Sequence, residues 1–286
     1  MQVPASFQYR KATSVAHALS LLAEYGPEAR VIAGGHSLLP MMKLRLAHPE
    51  ALIDINDLAE LAEIRVEGGA LVIGALVRHA ELLSSAVAGR LFPILHDAER
   101  VIADPIVRNR GTVGGSLCQA DPSEDLSAVF AALRAELVVQ GLDGERVVAA
   151  RDFFVGPYQT VLADGELLVA IRVPVRPSVS AYVKVDRRAG DWAVGAAAAV
   201  LELVDGVVTE VGIGLTALGA RRFVAAEAED HLRAGPPSGE RFAEAGRIAA
   251  AHCAPTADQR GPVDYKRHLA GELVARALRG AVGRAA

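Results

Sequence analysis

Apolar residues recur at helical spacing over Val15, Ala18, Leu19 and Leu22. Thr13 or Ser14 stands where a cap belongs, and Gly26-Pro27 supplies a left-handed end and a breaker. The spacing therefore predicts a helix over "VAHALSLLAEY", preceded by a short strand at "FQYRKA". After it, "ARVIA" reads as a buried strand that delivers the chain into Gly34-Gly35, and "ALIDI" as another ending near Asn56. "AEIRVEGGALVIGA" has two β-rich runs around Gly68-Gly69 and predicts a hairpin. "RHAELLSS" and "LFPILHDAERVI" predict helices. The segment "ADPIVRNRGTVGGSLCQADPSED" is polar and rich in glycine and proline, and reads as a loop of about twenty residues, a length that is often functional in a compact domain. Ser123 is placed to cap a helix over "EDLSAVFAALRA", with Glu124 and Asp125 in its first turn, where the helix dipole favours acids. "ELVVQGLDGERVVAA" predicts a second hairpin, turning at Asp-Gly.

"ELLVAIRVPVRPSV" runs from a strand pattern into prolines and marks a domain boundary near residue 176. Beyond it lie three strand-like runs, "SAYVKVDRR", "AVGAAAAVLELV" and "VVTEVGIGLTAL". Asp205-Gly206 joins the last two as a hairpin. From about Phe223 the pattern is helical, broken by "PPSG". The expected class is α+β. Residues 1–176 form one domain of two subdomains meeting near residue 56, and residues 177–286 form an antiparallel sheet packed on helices.

Composition narrows the function. With 286 residues and 51% hydrophobic content the chain can bury a full core. A net charge of −4 with no basic block argues against nucleic-acid binding. Cys118 and Cys253 give neither a disulfide framework nor metal-ligand spacing, which suggests a reducing compartment. The N-terminus lacks the apolar core of a secretory signal. The most apolar run, "WAVGAAAAVLELV", contains Glu202 and is shorter than the roughly 18 residues a spanning helix needs, so it reads as a buried strand. A cytoplasmic location is expected, with any membrane contact made through a larger complex.

Two segments carry candidate chemistry: Ala33, Gly34, Gly35, His36 and Ser37, and Thr112, Val113, Gly114, Gly115 and Ser116. Converging backbone N–H groups bind diphosphate oxygens, glycine permits close approach, and a hydroxyl adds a donor. Neither segment is a Walker loop or a Rossmann G-x-G-x-x-G fingerprint.

"AGGHSLLPMMKLRLAHPEALIDIN" together with "NRGTVGGSLCQADPSEDL" resembles the FAD-binding medium subunits of the molybdenum hydroxylases, of the carbon monoxide dehydrogenase and xanthine dehydrogenase type. "DINDLAEL", "LVIGALVRHAEL", "KVDRRAGDWAVGAAAAV" and "IGLTALGARRF" extend the likeness over most of the chain. The resemblance implies a two-lobed flavin domain of the vanillyl-alcohol-oxidase-like type, followed by a family-specific C-terminal domain. It implies that Ala33–Ser37 and Thr112–Ser116 wrap the FAD pyrophosphate, with Asp125 near the flavin's sugar chain. Leu168 would lie against the flavin region and Lys184 near the ring system, where a cation favours the anionic reduced form. Trp192 either covers the isoalloxazine face or is a core residue at a strand start. His36 either polarises the flavin or closes the turn, backbone contact being favoured over catalysis. No catalytic side chain and no metal ligand is implied.

Several residues read more simply. Lys43 and Arg45 either clamp phosphate or form a solvated or structural face, the second reading being preferred, and Asp121 and Glu124 suit loop and helix-start acids rather than an acid–base pair. Cys118 reads as a small packed residue, and Cys253 as buried late in a helix. The resemblance implies a partner subunit with a molybdenum cofactor, a 2Fe-2S subunit and a dimer of heterotrimers, with FAD collecting electrons for an external acceptor. Two other readings of the loops stay open at this point: a free-standing flavin oxidoreductase and a non-catalytic nucleotide-binding module. A flavin absorption spectrum separates the second from the rest.

Overall fold

The computed structural model describes residues 3–284; Met1, Gln2, Ala285 and Ala286, at the outer ends of the two expected domains, lie outside the described residues. Strands β1 (Gln8–Lys11), β2 (Ala29–Ile32) and β3 (Ala51–Asp54) form a parallel sheet in the order β1-β3-β2. Helix Val15–Tyr25 covers it. Ser14 is its cap, accepting from the His17 N–H at 3.1 Å, and Ala18, Leu19 and Leu22 are buried beneath it. β2 is an edge strand rather than the buried one its sequence suggests. Only Ala29 is buried, because Arg30, Val31 and Ile32 border a cavity.

A five-stranded antiparallel sheet follows, built from β4 (Ile64–Glu67), β5 (Ala70–Gly74), β6 (Glu136–Gly141), β7 (Gly144–Ala149) and β10 (Leu167–Pro174), in the order β4-β5-β10-β6-β7. The short pair β8 (Phe154–Gly156) and β9 (Gln159–Thr160) lies beside it. Side-chain alternation sends Leu137 and Val139 to one face and Val138 to the other, where the first lobe packs. A bulge in β10 shifts the register between Leu168 and Ala170.

Between β5 and β6 the chain is helical: His79–Ser84, Ala86–Leu91, Pro93–Val101, Pro105–Arg108, Val113–Gln119 and Leu126–Ala132. Two of these lie inside the segment expected to be a long loop. Asp104 caps the first of them, accepting from Val107 N–H, and Thr112 caps the second, accepting from Gly115 N–H at 3.1 Å. The caps are ordinary; the glycines, poor helix formers, mask the second helix in the sequence. Ser123 does not cap the next helix. The Glu124 carboxylate takes that place, accepting from the N–H groups of Leu126 and Ser127 at 2.9 and 2.5 Å, so the helix begins at Leu126.

The C-terminal sheet contains β11 (Val179–Val185), β12 (Gly195–Val204) and β13 (Val207–Thr216), all antiparallel. One face packs on helices Val263–Val282 and Ala226–Leu232, and helix Gly239–His252 packs on those two. The other joins the core around helices Pro93–Val101 and Leu126–Ala132. Ala197 and Ala199 face the first side and Ala196 and Ala198 the second, as strand alternation requires. Among the described residues no helix is long and apolar enough to cross a membrane.

Candidate functional site

β2 ends at Ile32, and the chain turns through Ala33–Ser37 into helix Leu38–Lys43. Asn56, just beyond β3, donates from Nδ2 to the Ala33 carbonyl at 2.7 Å. Arg78 in turn donates to Asn56 Oδ1 at 2.8 Å and to the Arg110 carbonyl at 2.5 Å. One side-chain relay therefore ties the first glycine segment to the second. Gly34 completes the contact, because a Cβ there would lie 2.8 Å from the Gly111 Cα. Gly114 has the same need on its other side, where a Cβ would meet Ala75 at 2.6 Å.

The two segments differ in what they offer. Among the described residues, the N–H groups of Gly34, Gly35, His36 and Ser37 donate to no protein acceptor. In the second segment every corresponding donor is committed. Val113 N–H donates to Val77, Gly114 to Ala75 and Ser116 to the Thr112 carbonyl, at 2.9, 2.9 and 3.0 Å, and Gly115 donates to Thr112 Oγ1. The expectation of two equivalent amide cradles is thus corrected: the second segment is the first turn of a helix. It can offer the Thr112 hydroxyl and a close-fitting wall, the Ser116 hydroxyl proton being directed at Glu124 Oε2. Val113 is fully buried in the core and does not line the cavity.

That cavity measures about 920 Å³, near the upper end for small-molecule sites. Ala33, Gly34, Gly35, His36 and Ser37 line it, opposite Thr112, Gly114, Gly115 and Ser116. Leu168, Asp125, Lys184 and Trp192 line it as well. Leu168 is buried beside the β10 bulge. Trp192 is 44% exposed and sits on the turn ahead of β12, so the reading as a core tryptophan at a strand start does not hold. His36 is exposed. Lys43 and Arg45 lie outside the lining, Arg45 donating instead to the Val3 carbonyl at 2.9 Å. Asp121 is also outside it, accepting from Tyr158 at 3.2 Å. Cys118 lines the cavity, but burial pushes its thiol up to about 12, which removes it as a nucleophile. Cys253 is buried at the end of helix Gly239–His252.

Buried charge collects beneath the cavity. Asp125 is 5% exposed; Lys184 donates to one carboxylate oxygen at 2.8 Å and Tyr182 to the other at 2.5 Å. Burial pushes this carboxyl up against the opposing pull of Lys184 and Tyr182. With both oxygens already engaged, Asp125 is first an anchor between helix Leu126–Ala132 and β11, a role its sequence position does not announce. His79 and Glu99 form a second buried pair, with Nδ1 3.0 Å from Oε2. Burial alone would lower His79, but the Glu99 charge and hydrogen bond overcome it and hold the imidazole above its ordinary value. Glu124, read from sequence as a helix-start acid, is 4% exposed and lines the cavity. Burial raises it to about 7, although Ser116 Oγ donates to it at 2.9 Å.

Asn56, Arg78, His79, Glu99 and Tyr182 escape sequence reasoning. The only local signal is "RHAEL", in which Glu81 accepts from the Arg78 N–H at 2.8 Å as a helix-opening pair. The partners that give the other residues meaning lie 20 or more positions away.

Two family models cover the chain. The FAD binding domain in molybdopterin dehydrogenase matches residues 5–176, and the CO dehydrogenase flavoprotein C-terminal domain matches residues 180–281. The carbon monoxide dehydrogenase medium chain of Hydrogenophaga pseudoflava is 41% identical over 99% of this chain and 100% of its own length. The glyceraldehyde dehydrogenase medium chain of Sulfolobus acidocaldarius is 34% identical over 96% of this chain and 98% of its own. Among solved structures, carbon monoxide dehydrogenase from Hydrogenophaga pseudoflava superposes with a TM-score of 0.96 at 43% identity, covering 99% of each chain. Quinoline 2-oxidoreductase from Pseudomonas putida 86 does so with a TM-score of 0.93 at 34% identity, again covering 99% of each.

Proposed function

This chain belongs to the FAD-binding medium subunits of the molybdenum hydroxylases, and from that premise we propose that it holds FAD between its two glycine segments and relays electrons from an iron–sulfur subunit to an external acceptor. It is an oxidoreductase subunit and its cofactor is FAD. The cavity suits that group. It has room for an extended dinucleotide, donors without protein partners at Gly34–Ser37, and glycine backbone where a Cβ would intrude.

The residue roles follow from that fit. The amides of Gly34, Gly35, His36 and Ser37 take the diphosphate, assisted by the Thr112 hydroxyl. Ala33 and Gly114–Gly115 form the adjoining walls. Leu168 offers an apolar surface and Trp192 a rim, and Lys184, held by Asp125, sets a fixed positive charge in the floor. FAD takes up and gives back electrons singly or in pairs, which no side chain here can do. The protein's own part is to bind, orient and shield, so no general base is assigned.

Partners belong to the same proposal. The relatives are named as medium chains, which implies companion chains, and in this reading a molybdenum-cofactor large subunit and a 2Fe-2S small subunit complete the enzyme, assembled as a dimer of heterotrimers in the cytoplasm. The named relatives act on substrates as different as carbon monoxide and glyceraldehyde. Substrate choice is accordingly placed in the large subunit. Domain division is placed at residue 176, just ahead of the C-terminal sheet, which begins at Val179.

The apposition of Gly34 with Gly111, beside the acceptor-free amides, carries this reading. The full chain, co-expressed with the genes beside it and purified, is expected to be yellow with a flavin absorption spectrum. Removing FAD from the assembled complex should abolish acceptor reduction while substrate still reduces the iron–sulfur centres. A folded chain that takes up no flavin would overturn the proposal.

A further inference from the structure

The buried charges beneath the cavity do not balance. Glu99, Glu124 and Asp125 are three carboxyls, and they face two close cations, His79 on Glu99 and Lys184 on Asp125. Arg108 lies farther off, its guanidinium donating to the carbonyls of Ile102 and Ala103. Among the described residues no cationic side chain forms an ion pair with Glu124. Its neighbours are the hydroxyls of Ser116 and Ser127 and the amides of Leu126 and Ser127, and the titratable groups that interact with it are Asp125, Tyr182 and His79. From β13, the Thr216 hydroxyl donates to its carbonyl. A buried carboxylate without a cation is costly and tends to hold a proton.

Ser116 has one hydroxyl proton, and it points at Glu124 Oε2. While Glu124 is ionised, Ser116 presents only lone pairs to the cavity, opposite to what a diphosphate requires. A protonated Oε2 can instead donate to Ser116 Oγ and still accept from Leu126 N–H through its remaining lone pair. That reversal frees the serine proton for the cavity. We propose that Glu124 and Ser116 form a proton-coupled latch for FAD, in which binding of the diphosphate takes up one proton at Glu124 and turns the Ser116 hydroxyl toward the cofactor. The proposal rests on the reading that FAD lies against the second glycine segment.

The latch predicts that FAD affinity falls with rising pH above about 7, approaching tenfold per pH unit at full coupling. The experiment is FAD titration of the flavin-free full-length chain by calorimetry, in two buffers of different ionisation enthalpy. Proton uptake of about one per FAD is expected well above that pH, vanishing well below it. Ser116→Ala should weaken binding and abolish both the uptake and the pH slope. Glu124→Gln is a poor mimic, because its amide nitrogen must face either the Leu126 or the Ser127 N–H; Glu124→Ala, with its fold checked by circular dichroism, is the better variant and should flatten the slope. His36 also lines the cavity, so His36→Asn is the control and must keep the slope. A wild-type slope of zero, or a slope lost in His36→Asn and kept in Ser116→Ala, overturns the latch. If Ser116→Ala weakens FAD binding while the slope is absent, the site reading stands and the latch alone fails. If neither Ser116→Ala nor Gly34→Ala changes FAD affinity, the site reading fails and takes the latch with it.

Discussion

A methyl group built on Gly34 would stand 2.8 Å from the Gly111 Cα and 3.0 Å from the Arg110 carbonyl carbon, so two segments nearly eighty residues apart meet backbone to backbone. Contacts that short cannot be kept once a side chain is added. Gly34→Ala must open the gap between the segments, at about 1–3 kcal/mol. If the cofactor lies there, FAD affinity should fall on the order of tenfold to a hundredfold. Titration of the flavin-free chain measures it. Gly89→Ala, which meets open space in helix Ala86–Leu91, should leave affinity unchanged and stability equal or slightly higher.

The Lys184–Asp125 pair is almost wholly buried. Lys184→Met removes the ammonium and leaves the carboxylate with Tyr182 alone, at a cost of about 3–5 kcal/mol. Denaturant unfolding should show that loss. The double variant Lys184→Met, Asp125→Asn should recover most of it, because no uncompensated charge remains. Full additivity of the two single changes would contradict the pairing.

Glu124 also makes stability depend on pH. Its folded value of about 7 exceeds the ordinary 4.5, so between those limits the folded chain binds more protons than the unfolded one. Stability of the flavin-free protein should therefore fall as pH rises from 4.5 to about 7, by at most about 3 kcal/mol from this group. The sign is opposite to that of a salt-bridged carboxylate such as Glu166, which Arg146 holds below its usual range. Unfolding curves of the wild type and Glu124→Ala, compared across that window, isolate the contribution. A difference that does not change with pH would refute it.

Trp192 is the only tryptophan in the chain and stands half-exposed at the cavity rim. Flavin absorbance overlaps indole emission, so FAD binding should quench most of the intrinsic fluorescence. Trp192→Phe removes the signal and, as a rim change, should alter affinity by less than about tenfold. Fluorescence that survives saturation with FAD would place the cofactor away from Trp192.

Local patterns carry a large part of this fold in the sequence. Helix Val15–Tyr25, both hairpins of the five-stranded sheet and the Asp205-Gly206 turn each depend on residues close in the chain. Helix Val113–Gln119, inside the supposed loop, was hidden because Gly114 and Gly115 look like turn formers. Gly114 is there for the close pass against Ala75, which no local rule encodes. The composition of the two glycine segments was legible as well, but not the difference between them. Whether an amide is committed depends on the carbonyls of Ala75 and Val77, in the turn after β5 and some forty residues earlier. The buried pairs His79–Glu99 and Lys184–Asp125 are similarly tertiary. Each residue alone looks like a surface charge, and only its partner accounts for its burial.

The alanines of β12 take on a different meaning in this light. Ala196 stands directly across from Lys184, and Ala198 across from Tyr182, on the face that meets helix Leu126–Ala132. Directly opposed residues share a face and compete for the same space. A methyl group at both positions concedes that space to the two long side chains, which lean across it to reach Asp125. A stretch that looks like inert filler thus works as a clearance gauge. Leucine at either alanine would crowd a charged pair one strand away without touching a polar atom.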